Sequence, residues 1–258
     1  MATRVGRRHL LTLAASGPLL QSASSQHRTI SSAKAISSAK AIALDAFAVF
    51  DPRPITTSVE TLFPGKGTHF TALWRTRQFE YTWLRTIMRS YNDFWSITED
   101  ALIYSAKTLN VELTRANRDQ LMHCFLELRP WPDAPLALQK LRDSGLRLVL
   151  LSNFTQAMLN SAVTRSGLQG LFEPHLSTDR VRAYKPDPRA YRMAVDALKL
   201  SREETVFAAF AGWDAAGAKA FGFTSYWVNR ASAPLEEIGF APDGIGASLS
   251  DLVTFLRG

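Results

Sequence analysis

Four groups of polar residues end apolar runs of the chain or lie in the loops that follow them. They are Asp45, the pair Ser152 and Asn153, Lys185, and Asp214. Taken singly, each has an ordinary structural explanation, such as a turn, a helix cap or a solvated loop charge. Two acids, a lysine, a hydroxyl and an amide are also the residue types that nucleophilic and acid–base catalysis uses. Their order along the chain favours one catalytic site over four unrelated structural roles.

The apolar runs before these residues predict the strands of one parallel sheet. They are short and apolar on both faces, as a buried parallel sheet requires, and comprise Ala41–Leu44, Leu146–Leu151, Val206–Phe210 and Ser225–Val228. Helical patterns lie between them, including Arg189–Leu198 and 214–221, which stops at Gly222. The alternation predicts an α/β fold, a doubly wound parallel sheet with a Rossmann-like core. The polar groups are therefore expected to meet at the carboxyl edge of this sheet.

A helical insertion interrupts the alternation after the first strand. Apolar residues recur at spacings of three, four and seven and predict one face of a long helix: Phe70, Leu73, Trp74, Tyr81, Leu84, Met88 and Tyr91. Two further helical patterns lie near Glu99–Leu109 and Arg115–Leu128. We predict a cap subdomain over residues 55–129 that covers the sheet edge, and an α/β core over 39–54 and 130–258.

Residues 1–38 are predicted to be a signal peptide and linker. The 258 residues carry a net charge of +7, but the first 44 hold six basic residues and no acid, which leaves 24 basic and 23 acidic residues elsewhere. Paired arginines, Arg7 and Arg8, precede a moderately apolar stretch, which indicates a twin-arginine signal and a periplasmic or secreted protein. A mitochondrial presequence is the alternative. The near-neutral body gives no reason to expect nucleic acid as a partner, and no apolar run is long enough to span a membrane.

Three sequence blocks within the predicted cap carry a family resemblance. They are Leu-Trp-Arg-Thr-Arg-Gln-Phe-Glu-Tyr-Thr-Trp-Leu-Arg (73–85), Tyr-Asn-Asp-Phe-Trp (91–95) and Thr-Glu-Asp-Ala-Leu (98–102). Together with the polar groups at the run ends, they resemble the haloacid dehalogenase superfamily, specifically its type II (S)-2-haloacid dehalogenase branch. The resemblance covers residues 39–230 and implies hydrolysis of the carbon–halide bond of a small 2-haloacid or similar carboxylate.

The resemblance also implies the site residues. Asp45 matches the nucleophile, which displaces halide from C2 and forms an aspartyl ester that water then hydrolyses. Arg75 matches the residue that receives the halide and the substrate carboxylate, while Ser152 and Lys185 match residues that orient and neutralise carboxylates. Asp214 matches the acid that assists hydrolysis of the ester. The predicted substrate-binding residues are Phe47, Phe79, Phe94, Asn153, Tyr191 and Trp213.

Phosphatases of the same superfamily are the main rival. They carry a second acid two residues after the nucleophile, which ligates magnesium, and Phe47 occupies that position here. The five histidines lack metal-ligand spacing, and we expect no metal and no cofactor. A single cysteine, Cys124, rules out a disulfide framework within one chain. A second copy of the chain is the expected protein partner, in a homodimer.

The chain departs from the family pattern next to the nucleophile and the second acid. Apolar residues stand at Ala48, Val49, Ala209 and Ala211, where related enzymes carry a glycine, a threonine, a serine and an asparagine. Loss of the three polar contacts would leave the nucleophile less well oriented and the hydrolytic water less ordered. The alternative function is therefore an exported homologue that does not dehalogenate, either a binding protein or a hydrolase or phosphatase of another small acid.

Overall fold

The computed structural model describes residues 38–257, so the predicted leader and the linker up to residue 37 lie outside the described residues. In chain order the strands are β1 (Ala41–Leu44), β2 (Phe50–Asp51), β3 (Arg129–Pro130), β4 (Arg147–Ser152), β5 (Leu176–Ser177), β6 (Thr205–Ala209), β7 (Thr224–Val228) and β8 (Gly244–Gly246). The helices are α1 (Ala46–Val49), α2 (Arg53–Leu62), α3 (Gly67–Ile87), α4 (Phe94–Thr108), α5 (Arg115–His123), α6 (Ala134–Asp143), α7 (Gln156–Arg165), α8 (Pro188–Leu198), α9 (Gly212–Phe221) and α10 (Leu249–Phe255). Two 3₁₀ turns, Cys124–Leu126 and Thr178–Arg180, complete the set for this range.

Six strands form one parallel sheet in the order β5-β4-β1-β6-β7-β8. Side chains of β1 alternate between two buried clusters, with Ile42 and Leu44 in one and Ala41 and Ala43 in the other. Because successive side chains of a strand point to opposite faces, both faces of the sheet are covered. The first cluster includes residues of α6, α7 and α10, and the second includes residues of α8 and α9. The predicted doubly wound α/β fold is confirmed.

The last strand before Asp214 ends earlier than its apolar run suggests. The run predicted a strand over Val206–Phe210, whereas β6 spans Thr205–Ala209. Phe210 therefore leaves the sheet, and its side chain lies at the edge where the strands end. The other predicted strands shift by one residue at most, because their apolar runs are bounded by polar residues or glycine on both sides.

Four α-helices, α2 to α5, lie between β2 and β3, which pair antiparallel through Phe50 with Pro130 and Asp51 with Arg129. The predicted cap boundaries at residues 55 and 129 fall inside α2 and inside β3, so the division into subdomains stays a prediction. No helix among residues 38–257 is long and apolar enough to cross a membrane.

The long helix α3 buries a different face from the predicted one along its second half. Its buried residues include Phe70, Trp74, Gln78 and Thr82, whereas Leu84 is 48% exposed. Gln78 tolerates burial because its Nε2 donates a 2.6 Å hydrogen bond to the hydroxyl of Thr98 on α4. The predicted apolar stripe was therefore wrong from Leu84 onwards: Leu84 and Met88 reach the surface, while Arg85 between them pairs with Asp100 of α4.

Candidate active site

Asp45 is the first residue after β1 and caps the one-turn helix α1. Its Oδ2 accepts a 3.0 Å hydrogen bond from the backbone N–H of Phe47, and its own N–H donates to the carbonyl of Ala208 on the neighbouring strand. The side chain is buried except at the edge that faces a cavity. The backbone hydrogen bond to β6 and the side-chain hydrogen bond that caps α1 together hold this carboxylate in one orientation.

Lys185 joins two carboxylates at the centre of the site. Its Nζ lies 2.7 Å from Oδ1 of Asp45 and 2.6 Å from Oδ2 of Asp214, and both Lys185 and Asp214 are 1% exposed. Burial acts to lower the pKa of Lys185, but the charges of Asp214 and Asp45 outweigh it and raise that pKa. The lysine therefore stays cationic and neutralises one of two neighbouring negative charges.

Asp214 is the group of this cluster that titrates near neutral pH. Burial raises its pKa to about 6, and the charge of Asp45 contributes to the increase, while Lys185 and a hydrogen bond from Tyr191 oppose it. A carboxylate with a pKa in this range can accept a proton from water and release it again at neutral pH. The geometry thus places a candidate general base next to the Lys185–Asp45 pair.

Tyr191 occupies a different place from the predicted one. It is fully buried on α8 behind Asp214, where its hydroxyl donates a 2.8 Å hydrogen bond to Oδ1 of that acid. A Cβ atom built on Gly217 would lie 2.5 Å from this hydroxyl, so the glycine makes the approach possible. Tyr191 is not among the residues that line the cavity in front of Asp45, so the structure corrects its predicted contact with substrate to a contact with the second acid.

The cavity at this sheet edge has polar and aromatic walls. Its polar lining consists of Asp45, Ser152, Asn153, Lys185 and Asp214, as the sequence predicts for one site. The cavity volume is about 10 Å³, which is room for roughly one water molecule. The carboxylates therefore face a nearly closed volume rather than bulk solvent.

Six aromatic side chains complete the wall: Phe47, Phe79, Phe94, Phe154, Phe210 and Trp213. The sequence predicted four of them and missed Phe154 and Phe210. Phe154 lies two residues after the end of β4, and Phe210 follows directly on the end of β6. Position close after a strand end was therefore the available signal, and at Phe210 the continuation of the apolar run obscured it.

Asn153 presents an unused donor. Its Oδ1 accepts a 3.1 Å hydrogen bond from the backbone N–H of Lys185, which fixes the amide. Its Nδ2 is buried and has no hydrogen-bond partner within residues 38–257. The neighbouring Ser152 hydroxyl accepts from the N–H of Phe154 at 3.2 Å. A buried amide donor without a partner on a cavity wall is suited to an anionic or polar ligand atom.

Arg75 lies beside the cavity, against its aromatic wall. Its guanidinium carbon is 4.8 Å from the ring centroid of Phe210, 5.5 Å from that of Phe47 and 5.9 Å from that of Phe79. It lines an adjacent cavity of about 100 Å³, which shares Phe47 with the first. Burial lowers the pKa of Arg75 and the charge of Asp45 partly offsets this, but an arginine stays protonated in either case.

Few polar groups surround the carboxylate of Asp45. In the part of the chain that the structure describes, the Asp45 carboxylate has two hydrogen-bond donors, the N–H of Phe47 and Nζ of Lys185. Val49 and Ala209 are fully buried and apolar. Residues 38–257 also contain no cluster of three His, Cys, Asp or Glu side chains that could hold a metal ion.

Comparison with known proteins shows which family the whole chain resembles. A family model described as haloacid dehalogenase-like hydrolase matches residues 16–222. The (S)-2-haloacid dehalogenase of Pseudomonas sp. (strain YL) is 39% identical over 213 residues, which cover 82% of this chain and 92% of that enzyme.

Solved structures agree with the sequence match. The crystal structure of an L-2-haloacid dehalogenase superposes with a TM-score of 0.84 at 38% identity and covers 85% of this chain and 99% of its own. The L-2-haloacid dehalogenase from Xanthobacter autotrophicus, solved with chloropropionic acid covalently bound, gives a TM-score of 0.79 at 33% identity, with coverage of 85% and 99%.

Proposed function

This chain belongs to the haloacid dehalogenase-like hydrolases, in the (S)-2-haloacid dehalogenase branch, and we propose that it hydrolyses the carbon–halide bond of small 2-haloacids through an ester on Asp45. The observation that carries the proposal is the arrangement of Asp45, Lys185 and Asp214 around a nearly closed aromatic cavity. The carboxylate of Asp45 faces the cavity and acts as the nucleophile. The carboxylate of Asp214, on the other side of Lys185, acts as the base. The solved relative with covalently bound chloropropionic acid supports an ester mechanism for this branch.

In the first step, an oxygen of the Asp45 carboxylate attacks C2 of the haloacid. A carbon–oxygen bond forms while the carbon–halogen bond breaks, and the halide leaves with the bonding electrons. The aromatic walls exclude most water from the nucleophile, so fixed protein groups replace its hydration. The unpartnered amide of Asn153 and the guanidinium of Arg75 are the donors available to the departing halide.

In the second step, water attacks the carbonyl carbon of the ester on Asp45. Asp214 accepts one proton of that water, the bond between the carbonyl carbon and the ester oxygen breaks, and the leaving alkoxide takes this proton from Asp214 to give the 2-hydroxyacid. The second proton of the water passes to solvent. Asp45 is regenerated with one oxygen from water. Lys185, which contacts both side chains in the free protein, offsets the negative charge that develops on the carbonyl oxygen.

A direct test is halide release from chloroacetate and from (S)-2-chloropropionate by the purified protein. We expect turnover with the unmodified chain and loss of at least about a thousandfold with Asp45→Asn, because an amide is a poor nucleophile. Asp51→Asn is the matched control, since Asp51 pairs with Arg53 outside the cavity. Halide release by Asp45→Asn at the unmodified rate would overturn the proposal.

We also propose that the protein is a homodimer. Three apolar residues at the end of α3 reach the surface: Leu84, Ile87 and the capping residue Met88, with exposures of 48%, 78% and 62%. Tyr104 of α4 extends the same surface. Apolar area of this kind is stabilised when a symmetric partner covers it. Light scattering is expected to give the mass of two chains, which Ile87→Asp halves and Ile245→Asp, at an exposed position on β8, does not.

Export through the twin-arginine route also remains a proposal, and it depends on the sequence of residues 1–30 alone. The mature protein is expected to lack about the first 20–30 residues. Changing Arg7 and Arg8 to lysine should retain the precursor in the cytoplasm. Processing that both changes leave intact would contradict this route, and import of the precursor into mitochondria would support the alternative.

A further inference from the structure

Arg75 is the cation of the site that lacks a polar partner. Within residues 38–257 its guanidinium has no hydrogen bond and no carboxylate within ion-pair distance. The side chain is desolvated, which lowers the pKa of Arg75. Arginines in such surroundings are normally fixed by a carboxylate or a carbonyl. Here three aromatic rings surround it, and Phe210 is the nearest at 4.8 Å. The face of an aromatic ring attracts a cation at this distance.

Phe210 is itself held in place from behind. Its ring stacks on that of Trp131, with centroids 6.4 Å apart and planes 28° from parallel. The indole N–H of Trp131 donates a 3.0 Å hydrogen bond to the carbonyl of Phe47, two residues after the nucleophile. The guanidinium of Arg230 covers the indole at 4.3 Å and also binds Asp133. The ring beneath Arg75 is thus connected to the backbone that carries Asp45.

We propose that Phe210 is a positioning residue for halide binding: its ring face holds Arg75 so that the guanidinium donors stay available to a halide. The inference rests on the proposed function, since it concerns the halide that the reaction releases. A carboxylate partner would occupy the donors of Arg75, whereas a ring attracts the cation and leaves its N–H groups unused. Guanidinium is weakly hydrated, which suits it to a large halide in a desolvated place.

The ring face and the volume of Phe210 can be separated by substitution. Phe210→Leu keeps an apolar side chain and removes the ring, whereas Phe210→Tyr keeps the ring. Phe70→Leu is the matched control, because Phe70 is a fully buried aromatic residue on the same helix as Arg75 and packs against Phe63 and Trp74.

The experiment measures bromide binding to the full chain by tryptophan fluorescence, together with single-turnover halide release from chloroacetate. Phe210→Leu is expected to weaken bromide binding about fivefold or more, the change expected for loss of a cation–π contact. The single-turnover rate should fall by a similar factor. Phe210→Tyr should bind bromide within about twofold of the unmodified protein. Phe70→Leu should lower thermal stability and leave bromide binding unchanged.

Unchanged bromide affinity in Phe210→Leu would overturn the inference, and so would an equal loss in Phe210→Tyr, since the ring face would then not be the cause. An unmodified protein that releases halide from chloroacetate but binds no bromide would overturn the inference and leave the proposed function intact. Bromide binding that depends on Phe210, without turnover of any 2-haloacid, would support the inference and overturn the proposed function. Absence of both binding and turnover would overturn both.

Discussion

The charged groups on the two sides of the aromatic wall, the Lys185 cluster within the cavity and Arg75 beside it, are held in place by different forces. On one side, Lys185 binds the carboxylates of Asp45 and Asp214 at 2.7 and 2.6 Å, and each acid has a further hydrogen bond to an adjoining group. On the other side, Arg75 has aromatic contacts and no ion pair within residues 38–257. Hydrogen bonds fix the carboxylates before substrate arrives, while packing alone fixes the cation and leaves its donors free.

Because of this difference, we expect the two sides to have separate functions. The carboxylate side has its geometry set in advance and serves bond formation and ester hydrolysis. The arginine side is positive and has no polar partner to displace, so it serves an anion that arrives or departs. Changes on the carboxylate side should therefore affect both stability and chemistry, while changes on the aromatic side should affect mainly anion binding.

The largest effect is expected from Lys185→Met, which removes both ion pairs of the carboxylate side. Removal of the cation leaves two buried carboxylates facing each other, and the free energy of unfolding should fall by about 3–5 kcal/mol. Halide release should become undetectable. Denaturant unfolding checks this, with Lys219→Met as the control. Lys219 lies 2.6 Å from Asp243 but is 37% exposed. Loss of this exposed ion pair should lower the free energy of unfolding by less than about 1 kcal/mol. Equal stability losses in the two variants would show that the central lysine is not specially placed.

The next effect concerns the apolar residues around the carboxylates. Ester formation needs an ionised Asp45, but hydrolysis of the ester needs an ordered water, and Ala209 and Ala211 offer it no hydrogen bond from their side chains. The unmodified protein should therefore show a burst of halide near one equivalent and then slow turnover. Ala209→Ser combined with Ala211→Asn should speed the slow phase about tenfold or more without changing the burst amplitude. Rapid linear turnover without a burst would show that the site orders its water by other means.

A smaller effect is expected from Tyr191→Phe, which removes one hydrogen bond and leaves the ion pairs in place. The Tyr191 hydroxyl bonds to Asp214 and lowers the pKa of that acid, which burial holds at about 6. Asp214 works as a base only when ionised, so ester hydrolysis should slow as the pH falls through this pKa. Without the hydroxyl the pKa rises, and the acid limb of the pH–rate profile should move to higher pH. A limb that stays in place would separate Asp214 from the slow step.

No effect is expected from metal removal. Phe47 stands where a second acid would supply oxygen ligands, and magnesium needs several such ligands. Halide release should survive prolonged incubation with a chelator, and added magnesium should not produce hydrolysis of a phosphate ester. Activity that chelation abolishes and magnesium restores would place the chain with the phosphatases.

The carboxylate side could be predicted from the sequence more fully than the aromatic side. Asp45, Asn153 and Asp214 end apolar runs or follow them closely, and the geometry of a parallel sheet brings such residues to one edge whatever the side-chain packing. Phe210 was predicted as the last residue of its strand, because an apolar residue after an apolar run gives no sign of where the strand ends. A shift of one residue moves its ring from the sheet to the cavity wall.

The hydrogen bond of Tyr191 to Asp214 is a second feature that the sequence could not predict. Its helix could be predicted from Asp187 and Pro188, which cap and begin it as expected. Its partner depends on the approach of a second helix, which Gly217 allows. Contacts between helices far apart in sequence are set by tertiary packing, and periodicity within one helix carries no information about them.

The central claim is that Asp45 itself forms the ester, and isotope transfer in a single turnover tests it most directly. Excess protein is incubated with chloroacetate in water enriched in oxygen-18, and the peptide that contains Asp45 is analysed by mass spectrometry. Because water attacks the carbonyl carbon of the ester, heavy oxygen should enter the Asp45 carboxylate and be absent from the glycolate released in that first turnover. Heavy oxygen in the glycolate alone, with Asp45→Asn still active, would contradict the account.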